Sequence, residues 1–193
     1  MNAQQMEKLI EGLAILVVDN NPYTRKLTRI MLTNVGAKAI YEAADGVEAL
    51  GAIRVANPDV MILDWEMPVL DGPQVMQIVR SPESFPKPNL PVIMLTRSGE
   101  RSRVNAALRL GVHEFLVQPT SPAALRDRLM SILVRPRPMV WVGKYYVPKP
   151  RILLKKTDLL AAALSAYRSN ASFPTLIDSG DFEDNSSEVV TVH

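Results

Sequence analysis

The chain has no cysteine among its 193 residues. A disulfide, an iron–sulfur cluster and a thiol nucleophile are therefore excluded. Histidine is nearly as scarce. His113 and His193 lie far apart in sequence, which argues against a metal site built on imidazoles. Neither sign of charge dominates, since the net charge is +2, so a dedicated nucleic-acid binder is not expected. No apolar run approaches the length of a membrane span. Residues 1–11 are polar and mixed in charge, without the apolar stretch of a signal peptide. They read as a lead-in, and the protein is expected to be cytoplasmic with no membrane partner. Internal repeats are also lacking.

What is present is an apolar content of 47%, enough for a real core. The most informative stretch is VMILDWEMPVLDG, residues 60–72. Four apolar residues lead into one acid, Asp64, and Pro68 and Asp71-Gly72 follow at once. Such a run reads as a strand buried on both faces, with its carboxylate at the carboxyl end, where open α/β sheets bind ligands.

Strand and helix signals alternate through the first 134 residues. The apolar run 14–18 ends at Asp19. Pro22 then opens a helix with Leu27, Ile30, Met31 and Val35 at helical spacing, stopped by Gly36. Residues 38–42 are strand-like. Asp45 and Glu48 have capping-box spacing before a helix with Val47, Leu50 and Ile53 on one face. A helix over 72–80 follows the central strand, and then a long Pro-rich loop over 81–90. Strand 91–95 ends at Thr96. Helix 98–110 turns Val104, Ala107 and Leu108 inward. Strand 112–117 precedes a last helix capped by Ser121-Pro122, with Leu125, Leu129 and Ile132 inward. His113 is read as a loop or strand-edge residue.

Five such units imply an α/β fold with a doubly wound, five-stranded parallel sheet of order 2-1-3-4-5 and right-handed crossovers. That order makes the first and third strands neighbours and brings Asp19 beside Asp64, although 45 residues separate them.

Beyond residue 134 the pattern changes. Residues 135–156 hold seven Lys/Arg and no acid, and they include Trp141, Tyr145 and Tyr146. A short helix is expected after Thr157, with Leu159, Leu160, Ala163, Leu164 and Tyr167 on one face. The expected organisation is a lead-in at 1–11, a domain at 12–134, a basic and aromatic arm at 135–177, and an acidic tail at 178–193. The tail carries five acids and little core-forming pattern.

Residues 12–134 resemble the receiver domain of bacterial two-component response regulators. The resemblance rests on LVVDNNP at 16–22, LDWEMPVLDG at 63–72, Thr96 at its strand end, and VQP at 117–119. It implies the flavodoxin-like sheet and a role for each matched position. Asp64 would be the phosphoacceptor, taking a phosphoryl group from a sensor histidine kinase. Asp19, Asn20, Asp64 and the backbone carbonyl of Glu66 would form a Mg²⁺ site. Thr96 would be the hydroxyl that binds the phosphoryl group. Phe115 stands at the switch aromatic, although core packing explains it as well. Pro119 matches the family's proline.

Two positions depart from the family. Asn20 replaces one of two adjacent acids, which should weaken Mg²⁺ binding. Gln118 stands where the family has a lysine, so the phosphoryl group loses a charged anchor.

The chain is therefore read as a signalling phosphoprotein rather than an enzyme, a single-domain response regulator acting through protein contacts without a DNA-binding output domain. The alternative is a pseudo-receiver that binds partners without phosphorylation. A regulator using a basic strip on DNA is a third reading, with no DNA-binding motif to support it. Arg97, Arg101, Arg103 and Arg109, with Arg126 and Arg128 on the last helix, read as either a solvated face or part of a dimer or output surface. Trp141, Tyr145 and Tyr146 would pack on the chain's own last helix, form an arm shared in a homodimer, or dock a kinase.

Overall fold

The computed structural model describes residues 3–83 and 85–149. The expected helix after Thr157 and the acidic tail lie outside the described residues. Strands β1 (Ala14–Val18), β2 (Ala39–Ala43), β3 (Val60–Asp64), β4 (Val92–Thr96) and β5 (Glu114–Val117) form one parallel sheet in the order β2-β1-β3-β4-β5. All five residues of β3 and of β4 are buried, as their unbroken apolar runs require.

Side chains alternate between two cores. Leu16, Val18, Met61, Leu63 and Met94 meet α3 (Gly46–Ala56), α4 (Gly72–Val79) and α5 (Arg101–Arg109). Ile15, Val17, Ile62, Ile93 and Leu95 meet α1 (Ala3–Glu11), α2 (Pro22–Asn34) and α6 (Pro122–Val134). The helix starts follow from their caps. Asn21, Asp45, Asp71 and Ser121 each accept a hydrogen bond from a first-turn backbone N–H.

The helices add to the sequence pattern in three places and correct it in one. The lead-in at 1–11 carries α1, from Ala3 to Glu11, which buries Ile10 fully. Helix α2 buries Thr28, Met31 and Leu32 and leaves Leu27 and Ile30 exposed. Val47 on α3 is exposed, and Ala49 packs inward instead. Helix α5 begins at Arg101, and its Leu108 is exposed.

The connection after β3 folds back tightly. Gly72 donates to the Trp65 carbonyl, and a Cβ there would lie 2.5 Å from the Asp64 carbonyl oxygen. Within this turn Val69 has φ 68°, a left-handed conformation that is costly for a β-branched residue. Its side chain is exposed and has no packing to lose. Val69→Asn is expected to stabilise the fold by about 1 kcal/mol, read as a higher urea midpoint. An unchanged midpoint would place the strain elsewhere.

The long connection at 81–90 is anchored from within. Phe85 and Leu90 are buried, and Lys87 Nζ bonds the carbonyls of Asn57 and Pro58. Arg80, at the end of α4, is 1% exposed. Its guanidinium donates to the carbonyls of Pro88, Leu90 and Gly111. Burial, and secondarily the charge of Arg137, lowers its pKa to about 9, which leaves it cationic at neutral pH.

After α6 the chain forms an antiparallel hairpin of β6 (Met139–Val142) and β7 (Tyr145–Pro148). Gly143, at φ 59°, supplies the first position of a two-residue turn. The hairpin is fastened to the amino-terminal end of the sheet. Tyr146 N–H donates to the Arg80 carbonyl, and Arg137 donates to the carbonyls of Val112 and His113. Val147 is buried there, while Trp141 is 62% exposed and lies 5.4 Å from the Tyr146 ring. Tyr145 and Tyr146 are half-buried.

Candidate functional site

The parallel register builds the site. Val18 pairs with Leu63, so the next residues on each strand, Asp19 and Asp64, emerge together at the carboxyl edge. Asp64 pairs with Leu95, which puts Thr96 one step further along the neighbouring strand. Asp19, Asp64 and Thr96 are all buried, at 2%, 3% and 1% exposure.

Asp19 is held by Oδ1, which accepts from Asn21 N–H at 2.8 Å and from the Thr24 hydroxyl at 3.3 Å. Its Oδ2 is buried and has no hydrogen-bond partner among the described residues. Burial pushes the Asp64 pKa up to about 6, and the Asp19 charge adds to the shift. The Trp65 N–H and the charge of Arg97 oppose it. A pair of carboxylates with one orphaned oxygen and one reluctant charge is the electrostatic situation a cation relieves. The donor set therefore fits a hard divalent ion.

Asn20 is exposed beside Asp19, and the neighbouring Asn21 uses its side chain to cap α2. Glu66 is half-exposed. Gln118 N–H bonds the Thr96 carbonyl at 2.7 Å. With Arg97, Pro119 and Thr120 it borders a groove of about 420 Å³ against α2. The Gln118–Pro119 peptide bond is cis. Phe115 is half-buried against the core on the α3, α4 and α5 face. Trp141, Tyr145 and Tyr146 sit on the hairpin, which is fastened at the opposite end of the sheet from Asp64.

Arg103 belongs in sequence to a cluster of arginines expected on the surface. It is turned inward. Its Nη1 lies 2.7 Å from the Glu66 carboxylate and 3.3 Å from Thr96 Oγ1, and the guanidinium stands over the Trp65 ring at 5.4 Å. The signal that could have found it is its place in the first turn of α5. There a cation opposes the helix dipole and needs compensation from elsewhere.

Residues 15–130 match the model of the response regulator receiver domain. The chain is 34% identical over 120 residues to chemotaxis protein CheY1 of Helicobacter pylori, covering 62% of this chain and 95% of that protein. Among solved structures it is similar to the CheX–CheY–BeF₃–Mg²⁺ complex from Borrelia burgdorferi, at 31% identity and a TM-score of 0.56. That match covers 63% of this chain and 89% of that one. The Francisella response regulator 1452 receiver domain matches at 30% identity and a TM-score of 0.57, covering 63% of this chain and 96% of that one.

Proposed function

This chain belongs to the response regulator receiver family, and we propose that it accepts a phosphoryl group on Asp64 from a sensor histidine kinase and signals through protein contacts. The observation that carries this reading is the buried pairing of Asp19 with Asp64 beside the Thr96 hydroxyl. An Asp64 carboxylate oxygen attacks phosphorus and forms a P–O bond. The P–N bond to the kinase imidazole breaks, and its electron pair stays on that nitrogen. The proton on the second ring nitrogen keeps the leaving imidazole neutral. The product on this chain is an acyl phosphate.

Asp19, Asp64 and the Glu66 backbone carbonyl would hold Mg²⁺, with Asn20 adding no charge. Bound there, the ion neutralises the oxygens of the transferring group. Thr96 Oγ1 already accepts from the Ser98 N–H at 3.2 Å, so its proton is available to a phosphoryl oxygen. Gln118 can offer that group one neutral hydrogen bond. Phe115 would move with Thr96, since Met94 and Phe115 are paired across β4 and β5.

For the kinase, α2 presents Tyr23, Leu27 and Ile30 as an exposed apolar stripe beside the Gln118 groove. The hairpin, through Trp141 and Val142, would meet a second copy, and the α5, β5 and α6 face is the other dimer surface. No helix among the described residues is long and apolar enough to cross a membrane, which is compatible with a cytoplasmic site of action.

The test is a titration with beryllofluoride at millimolar Mg²⁺, followed by the amide shifts of Asp64 and Thr96. Saturable shifts at both residues are expected. If neither moves, the phosphoacceptor reading fails. The phosphorylation-independent pseudo-receiver, which Gln118 and Asn20 favour, then takes its place.

A further inference from the structure

We infer that Arg103 is the phosphoryl-binding cation of this chain, supplying from the first turn of α5 the charge that Gln118 does not carry. The inference rests on the proposed role of Asp64. Thr96 Oγ1 accepts from both Ser98 N–H and Arg103 Nη1. An anion that takes the Thr96 proton therefore arrives within one side-chain rotation of the guanidinium. Helix geometry does not explain a cation at this position, because the first turn of α5 repels it, no acid lies in that turn, and Glu100 makes no side-chain cap. What holds Arg103 is the site itself, through Glu66 at 2.7 Å, the face of Trp65 and the Thr96 hydroxyl.

Glu66 thus occupies the guanidinium while Asp64 carries no anion. Its carboxylate is half-exposed and singly charged, so a phosphoryl group bearing more charge competes for the same donors. Arg97 contributes a second positive field at Asp64. The arginine fork can also bind two phosphoryl oxygens at once, which a lone ammonium does less well. Trp65 and Glu66 follow Asp64 directly in sequence, so the loop that closes the site also sets the tether for Arg103.

The experiment uses the full chain with Trp141→Phe, so that Trp65 is the fluorescent reporter. Mg²⁺ alone is titrated first, then beryllium chloride and fluoride at saturating Mg²⁺. Arg103→Gln should weaken beryllofluoride about tenfold and leave Mg²⁺ binding unchanged or tighter, because a positive charge has been removed. Gln118→Lys added to Arg103→Gln should restore the affinity. Glu66→Gln should tighten beryllofluoride about threefold by releasing the guanidinium. Structural damage by Arg103→Gln would weaken both titrations together, and that result overturns the inference. An Arg103→Gln protein that binds beryllofluoride like its parent overturns the inference and leaves Asp64 as phosphoacceptor. A parent that binds no beryllofluoride overturns both.

Discussion

Asp64→Asn should raise the thermal midpoint at pH 8 by about 4–8 °C, corresponding to about 2 kcal/mol for a chain of this size. The gain should fade as the pH falls to 4. Asp64 is 3% exposed, and its pKa is raised from 3.8 to about 6 by burial and by Asp19. The folded state therefore holds the proton more tightly than the unfolded state does. Below pH 4 both states keep it and nothing is lost. Between pH 4 and 6 the unfolded chain ionises first, and stability falls as the pH rises. Above pH 6 the cost is complete, at most about 3 kcal/mol for a shift of this size. Asparagine has no charge to bury and keeps an oxygen for the Trp65 N–H, so it recovers most of that cost.

Mg²⁺ should narrow the difference, because a cation between Asp19 and Asp64 stabilises the ionised wild type and gains less from the variant. Thermal melts of both proteins at pH 4, 6 and 8, with and without Mg²⁺, check this. A gain that is the same at every pH would mean that packing, not charge, is responsible. The same variant removes the proposed nucleophile, so a rise in stability with a loss of phosphorylation is the expected pair of results. On the proposed reading, a site that holds two buried carboxylates gives up stability to be ready for a cation and a phosphoryl group.

The parts of this site that could be read from sequence are those that strand register determines. Buried parallel strands are continuous apolar runs, so 14–18, 60–64 and 92–96 stand out, and each terminates in or at a polar group. Strand order then brings Asp19 and Asp64 together without any side-chain information. Direction of side chains is another matter. Helix α2 carries an apolar stripe of Tyr23, Leu27 and Ile30 that looks like a core face, yet Thr28, Met31 and Leu32 are the residues it buries. Apolar spacing identifies a helix and does not distinguish a core face from a docking face. Arg103 escaped for a related reason. Its partners come from the loop after β3 and the end of β4, and spacing along α5 carries no record of them. Helix α1 has a mostly polar sequence, and one fully buried side chain, Ile10, anchors it to the sheet.

Arg80 is the extreme case, because a basic residue at a helix end reads as a solvated partner of the dipole. Its replacement should be strongly destabilising. The guanidinium ties the end of α4 to the 81–90 connection and to Gly111. Nη1 reaches the Pro88 carbonyl at 2.6 Å, Nη2 reaches Leu90 at 2.8 Å and Gly111 at 2.9 Å, and Nε reaches Gly111 at 3.1 Å. Nη2 also lies 3.4 Å from His113 Nδ1. Methionine fills similar volume and donates nothing, so these buried carbonyls lose their partners. The cost should be about 3–5 kcal/mol, because unsatisfied buried acceptors are charged at their full desolvation penalty. Lysine should recover little of it, since one ammonium cannot span the fork of acceptors. The damage should spread to the hairpin, whose Tyr146 N–H is bonded to the Arg80 carbonyl. Urea unfolding of Arg80→Met and amide exchange at Tyr146 read the two effects separately. A loss below about 1 kcal/mol would mean that water replaces the guanidinium at these carbonyls. An unchanged Tyr146 exchange rate would mean that the hairpin holds its place through Arg137 and Val147 instead.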